Sequence, residues 1–430
     1  MRVVLIDGEH YPPVTRWAIE KLGEVCCAVF LGGEEKIGSL EALERELGVR
    51  LYRSPNPLEA LDRAISENDV KEVVDLSDEP VVDYEMRFRI ASLCMLRGVA
   101  YRGADFEFRP RELLKPSKPS IAVIGTGKRV GKTAVGSFVA KTLKERFRPV
   151  VVTMGRGGPE RPELVDGERL TLTPEFLLEI ARKGKHAASD HYEDALIAGV
   201  TTIGCRRCGG GMAGFPFFDV VSEGLKLAES LPHDIIVFEG SGATMPPVRA
   251  GGYITVVGAN QRLEYVGNYF GPFRVALADV VVVTMADTVG RERLERLVET
   301  IRRINPPADV HLTAFEPRPL GDVSGRRVAL FMTSEEALAK ARERLEGLGA
   351  EVVFSSGNLA RRSLLRRELE SLKDVDAVLV ELKAAAVDTV TAWAVDKNLE
   401  VIYLANEPVN IDGKNLSEAV LSLAERVVGE

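Results

Sequence analysis

Between residues 121 and 144 the chain reads IAVIGTGKRVGKTAVGSFVAKTLK. Four apolar residues run into a short glycine-bearing loop that ends in Gly131-Lys132-Thr133, and an amphipathic stretch follows at once. Strand, loop and helix in that order grip a nucleoside triphosphate, because backbone N–H groups and the start of a helix both face the phosphates. Gly125 and Gly127 permit the turn, Lys132 is expected to reach the β- and γ-phosphates, and the Thr133 hydroxyl is expected to hold Mg²⁺. Thr126, Lys128, Val130 and Gly131 complete the expected nucleotide contacts. The spacing departs from G-x-x-x-x-G-K-[ST], since the glycine stands one place early and Thr126 fills its position. An incidental Lys-Thr in a glycine-rich turn would leave the flanking strand and helix unexplained.

A second constellation is CRRCGGGMAG, residues 205–214. Arg206 and Arg207 offer forked donors that match phosphate, and Gly209, Gly210 and Gly211 free the backbone for an anion nest. Two other readings stay open. Cys205 and Cys208 are half of a zinc site, although a structural site needs four ligands and no second CxxC exists. Alternatively this is a hairpin turn with solvated arginines. Glu239 ends the apolar run HDIIVFE, where a strand-end acid faces the ligand crevice; it is the expected Mg²⁺ ligand opposite Thr133, or else a turn cap. Asp166, in ELVDGE, is a second metal candidate. Lys185, His186, Asp190 and His191 form a polar cluster in GKHAASDHYEDA, though a lone histidine is as often structural as functional. Arg262 and Arg274 flank a glycine- and aromatic-rich stretch that could close over a ligand. TMAD, residues 284–287, echoes the guanine-reading [NT]KxD motif, but Met285 replaces its lysine, which favours ATP over GTP. Lys383 and Asp388, near a strand end, read as surface charges.

These residues must be positioned by an α/β scaffold. Helix-like and strand-like segments alternate over 1–116, which predicts a parallel βαβ domain. KPSKPS at 115–120 reads as a linker. The block 117–322 carries the phosphate loop and near-continuous apolar runs (RPVVVTMG, HDIIVFEG, ADVVVVTMAD), as in a P-loop NTPase-like, mostly parallel sheet covered on both faces. Residues 323–430 read as a smaller C-terminal α/β domain.

Composition narrows the class. At 430 residues with a net charge of −8, the protein is acidic and is not expected to bind nucleic acid. Five scattered cysteines suggest no disulfide framework. No apolar run approaches the roughly 20 residues of a membrane span, so a cytoplasmic enzyme acting on a small molecule is expected, with a homodimer as the general prior. The chain has a single glutamine, Gln261, beside abundant charge, the bias of heat-adapted proteins.

GTGKRVGKT resembles the loop of dethiobiotin synthetases, G-T-D-T-x-V-G-K-T, with Gly127-Lys128 in place of Asp-Thr. IIVFEGSGAT resembles that family's strand ending in E-G-A-G, and Arg156 stands where those enzymes place a basic residue. This likeness covers residues 120–290. Over its full length the chain resembles the cyclic 2,3-diphosphoglycerate synthetases, archaeal enzymes of thermophiles, through GTGKRVGKT, TMGRGGPE, SDHYEDA, CRRCGGGMAG, FEGSGAT and GANQRLEYVGNYFGPFR. The resemblance implies an ATP-dependent ring closure that releases ADP and phosphate. A substrate with a carboxylate and two phosphates needs many cations and donors. Lys132, Arg156, Arg206 and Arg207 are therefore the expected catalytic groups. Gly209, Gly210, Lys185, His191, Arg262 and Arg274 are expected to join the two hairpin arginines on the substrate. Two rivals are a P-loop ligase that activates a carboxylate and a nucleotide-switch ATPase. The second usually carries an extra lysine in KGGxGK[ST], where this chain has Gly127.

Overall fold

The computed structural model describes residues 1–170, 173–182, 190–333, 335–382 and 386–429. The chain packs as two compact units: the first holds Met1–Glu112, Arg262–Leu277 and Thr300–Pro306, the second the rest.

In the first unit, strands β1 (Arg2–Ile6), β2 (Val25–Phe30), β3 (Arg50–Tyr52), β4 (Glu72–Asp75), β5 (Ala100–Arg102) and β6 (Glu107–Phe108) form a sheet in the order β3-β2-β1-β4-β5-β6. All its pairings are parallel except β5 with β6. Val3, Val4 and Leu5 are completely buried, as expected for a central strand covered on both faces.

The second unit is built on one long sheet. Its strands are β7 (Ser120–Gly125), β8 (Pro149–Gly155), β9 (Glu163–Asp166), β10 (Thr201–Gly210), β11 (Pro216–Asp219), β12 (Ile235–Glu239), β13 (Gly252–Gly258), β14 (Val280–Thr284), β15 (Asp309–Pro319), β16 (Arg327–Phe331), β17 (Glu351–Ser356), β18 (Ala377–Glu381) and β19 (Glu400–Asn410). Their order is β11-β10-β8-β12-β7-β13-β14-β15-β19-β18-β16-β17, with β9 also on β10. The run from β10 to β15 is parallel, so the carboxyl ends of these strands lie along one edge. Valine and isoleucine fill it because their branched side chains suit a pleated surface buried on both faces.

The sheet does not stop at the end of the phosphate-loop block. β15 pairs antiparallel with β19, from Thr313 opposite Asn410 to Pro319 opposite Leu404, and β18, β16 and β17 continue beyond it. The closing helix Leu416–Gly429 returns to the phosphate-loop core, where Val420, Leu423 and Val427 share a cluster with Ile121, Val139 and Val256. Each such fully buried aliphatic side chain contributes about 1.5–3 kcal/mol. The proline-rich stretch before β7 is held down as well: Leu114 N–H donates to the Pro247 carbonyl (2.9 Å), and Ser117 N–H to Glu229 Oε1 (2.6 Å).

Candidate active site

β7 is buried at every position, and it delivers the loop to the start of helix Lys132–Leu143. Gly131 opens that helix at φ 78°. A Cβ there would lie 2.3 Å from Phe315 Cζ, so both the backbone and the neighbouring ring exclude larger residues. Val130 is buried, and its carbonyl accepts from Thr284 Oγ1 at 2.7 Å. Thr126 Oγ1 donates to Gln261 Oε1 at 2.6 Å, and the same amide lies against Gly127, where a Cβ would come within 2.3 Å of Nε2. Gln261 thus props the loop. Composition singled it out, but its role was not foreseen.

Lys132 Nζ lies 3.5 Å from Glu239 Oε2, with both side chains out of solvent. Glu239, at the end of β12, sits flush on the loop helix: a Cβ on Gly136 would lie 1.6 Å from Glu239 Oε1. A second element, helix Asp190–Ala198, runs beside the loop helix and meets it at one-turn intervals. Thr133 Oγ1 donates to Asp190 Oδ1 (3.3 Å) and Ser137 Oγ to Asp194 Oδ1 (2.5 Å). Burial, with Glu239 and Glu193 nearby, pushes the Asp194 carboxyl well above the usual carboxylate range. Thr133, Asp190 and Glu239 offer the hard oxygen donors that suit Mg²⁺. Among the described residues no group of three or more His, Cys, Asp or Glu is arranged to hold an ion alone. Mg²⁺ in phosphoryl-transfer sites uses one or two carboxylates and takes the rest of its shell from phosphate and water.

A cleft of about 670 Å³ opens over this loop, lined at one end by Lys128, Lys132, Thr133 and Asp190 and at the other by residues of β15, β18 and β19. Arg156, just past β8, also lines it, as do Ser241 and Gly242 from the loop after β12. Arg207 Nη2 donates to the Ser241 carbonyl (3.0 Å) and hydroxyl (3.2 Å). Burial and the charge of Arg156 pull the Arg207 guanidinium below its ordinary value. Among the described residues its buried Nε has no acceptor. Arg156 and Arg207 therefore form a positive patch that, among the described residues, has no carboxylate paired to it, a place where an anion relieves repulsion.

Other expected residues lie elsewhere. CRRCGGGMAG is the end of β10 and its hairpin into β11. Arg206 is exposed and its Nε bonds to the carbonyls of Gly158 (3.2 Å) and Pro159 (3.0 Å), latching that loop. Gly209 and Gly210 lie in that hairpin: Gly209 has φ 70°, and Gly210 pairs with Pro216, where a Cβ would lie 2.8 Å from Thr244 Oγ1. Cys205 is buried against Gly224 with its thiol pushed up to about 12, whereas Cys208 is exposed. Three apart on a strand, the two point to opposite faces, so they do not share a metal. Asp166 sits at the far end of β9, paired with Arg169 at 3.4 Å, away from the cleft lining. His191 is buried with its ring 4.4 Å from that of Tyr192 and its Nε2 3.8 Å from Glu163, a packed position beneath Gly204. Arg262 and Arg274 belong to the first unit, where Arg274 is buried and donates to the Phe270 carbonyl at 2.7 Å. Lys185 and His186, like Lys383, fall outside the described residues. Asp388 is paired with Arg362 at 3.1 Å, in keeping with a surface charge.

Among the described residues, no helix is long and apolar enough to cross a membrane. Residues 120–314 match the P-loop domain of cyclic 2,3-diphosphoglycerate synthetase, 2–109 its N-terminal domain and 319–407 its C-terminal domain. The cyclic 2,3-diphosphoglycerate synthetase of Thermococcus kodakarensis is 67% identical over 429 residues, covering 100% of this chain and 99% of that one. The Pyrococcus furiosus protein of the same name is 56% identical (100% and 99% covered), and that of Rubrobacter xylanophilus 48% (98% and 96%). Among solved structures, LpxK from Aquifex aeolicus in complex with ATP aligns at 15% identity and a TM-score of 0.44, over 79% of this chain and 96% of that one. With three successive domains matched and relatives aligned end to end, this chain belongs to the cyclic 2,3-diphosphoglycerate synthetase family.

Proposed function

We propose that the protein closes 2,3-diphosphoglycerate into its cyclic form at the expense of ATP, releasing ADP and phosphate. The supporting observation is that one cleft carries both halves of the chemistry. Lys132, Thr133 and the loop amides are there for a triphosphate, and Arg156 lines the same cleft for a second anion, beside Ser241, to which Arg207 is bonded.

Two phosphates cannot join unaided, since neither has a leaving group. An oxygen of one substrate phosphate attacks the γ-phosphorus of ATP, and the bond to the β–γ bridging oxygen breaks, freeing ADP. An oxygen of the neighbouring phosphate then attacks the activated substrate phosphorus. A new P–O–P bond forms, and the added group leaves as inorganic phosphate. Both steps press anions together, so positioning and charge neutralisation are most of the catalysis. Lys132 neutralises the transferring group, and Arg156 with Arg207 holds the substrate phosphates. Thr133, Asp190 and Glu239 would hold Mg²⁺, which supplies further neutralisation of the β- and γ-oxygens. ATP turnover in the presence of phosphorylated three-carbon acids, with phosphorus NMR of the product, tests this. A cyclic anhydride formed only from 2,3-diphosphoglycerate is expected; nucleotide hydrolysis indifferent to these acids would overturn it.

A further inference from the structure

The far end of the cleft is chemically unlike the phosphate end. Its walls are Phe315 from β15, Leu320 just past it, Leu404 from β19, and Leu382 just past β18. Set among them are Thr333, Glu381 and Asn406, with Arg318 and Glu407 alongside, paired to each other at 3.2 Å. Apolar walls with a few convergent polar groups describe a pocket for a flat, partly apolar ligand.

The polar groups are not interchangeable, because their hydrogen bonds fix their polarity. Glu381 Oε2 accepts from Thr333 N–H (2.9 Å) and Thr333 Oγ1 (2.7 Å). Glu381 Oε1 accepts from Asn406 Nδ2 (3.3 Å). A carboxylate only accepts, so the Asn406 amide must turn its NH₂ toward Glu381 and leave its Oδ1 as the acceptor. Glu381 ends β18 and Thr333 lies two residues past β16, two neighbouring parallel strands whose connections run to opposite sides. Such a switch point is where open α/β sheets hold ligands.

The acid of the [NT]KxD pattern does not line the cleft, although Met285 of the same stretch does. Asp287, which follows Met285 and Ala286, pairs with Lys340 at 2.8 Å and is not part of the cleft wall. A ring amide N–H of guanine therefore finds no carboxylate at that place.

We propose that the C-terminal wall reads the nucleobase: the ring lies between Phe315, Leu320 and Leu404, and Asn406 Oδ1 accepts from the 6-amino group of adenine. Glu381 and Thr333 are positioning residues that hold the Asn406 amide in this sense. A 6-oxo purine presents a lone pair to the same oxygen and is disfavoured. This rests on the reading of the cleft as an ATP site, and it gives the C-terminal block a role in nucleotide choice.

Calorimetric binding of ATP, inosine triphosphate and GTP to the full chain, without substrate, tests the proposal independently of any cyclisation. Wild type should prefer ATP to inosine triphosphate by about tenfold, the worth of one good hydrogen bond plus the relief of one clash. Asn406→Ala should weaken ATP about tenfold and leave inosine triphosphate unchanged. Glu381→Gln, which frees the amide to rotate, should bring the two nucleotides together, chiefly by improving inosine triphosphate. Melting curves accompany each variant, and the ratio between nucleotides stays readable in any fraction that folds. Equal losses for both nucleotides, or a wild type that does not distinguish them, would overturn the assignment. Failure of the cyclisation assay with these ratios intact would instead count against the substrate alone.

Discussion

At the phosphate loop the cation is buried and already balanced: Lys132 lies 3.5 Å from Glu239 beneath a helix start. At the β10–β11 hairpin the arginines bond, among the described residues, to carbonyls and a hydroxyl alone, and Arg207 stands beside Arg156. The first arrangement is stable when empty and exchanges a carboxylate partner for phosphate and metal. The second is strained by like charge until an anion arrives. A loop proposed to bind nucleotide in every cycle is preorganised, whereas the affinity proposed for the neighbouring patch comes from relief of repulsion.

The most damaging test of this contrast is Lys132→Ala, which should lower ATP turnover by about 10²–10³-fold. It also strands Glu239, and a buried carboxylate without its partner costs about 3–5 kcal/mol. Lys132→Arg, which keeps the charge, should therefore restore the melting temperature more than the turnover. Equal recovery of both would erase the distinction between charge balance and catalysis. Next, Arg207→Ala should reduce kcat/KM for the phosphorylated acid by roughly 10- to 150-fold, corresponding to about 1.5–3 kcal/mol. ATP affinity should hardly change. Arg206→Ala should do far less, because that guanidinium serves the loop at Gly158 and Pro159. Comparable losses at both positions would break the assignment of the patch.

A smaller effect is expected from the proposed metal ligands, read as Mg²⁺ titrations at saturating ATP. Glu239→Gln and Asp190→Asn should each shift the curve to higher Mg²⁺ by about tenfold, while Asp166→Asn leaves it in place. A shift in the Asp166 variant alone would move the metal to the other side of β10. The mildest case is Cys208→Ser, which should change neither melting nor turnover. With a thiol at about 12, Cys205 should also escape alkylation at pH 8 in native protein while Cys208 is labelled. Labelling of both, or stoichiometric zinc, would overturn the picture of two cysteines on opposite faces.

What the sequence disclosed follows the range of the interactions concerned. The loop, Lys132, Thr133 and Glu239 were legible because strand, turn and helix succeed one another locally, and because a strand-end acid has one crevice to face. Arg206 and Arg207 were not separable, since neighbours on a strand point to opposite sides and the choice depends on the register of β10 against β8. Asp166 and Asp190 looked alike as acids in polar stretches. Only the packing of helix Asp190–Ala198 along the loop helix brings one of them to Thr133. His191, which shares that helix, turns inward instead. Gln261 left a trace in composition, as the one amide of its kind in 430 residues, yet only geometry connects it to Thr126. Nothing local announced the C-terminal wall, because β15 and β19 pair across about ninety residues of intervening chain.

That pairing, with the helix Leu416–Gly429 beneath it, also governs how the protein can be made. A newly synthesised chain tends to fold its segments in order as they emerge. Here the phosphate-loop core lacks one of its walls until residue 427 has been added. Until then Ile121, Val139 and Val256 face an open groove, and the edge of β15 offers unpaired backbone groups to any other strand. A fragment cut near residue 322, where the sequence pattern changes, would keep that groove and that edge permanently. It is expected to precipitate more readily than a fragment that retains residues 400–429 on a short tether, in which the groove is filled and the open edge moves from β15 to β19.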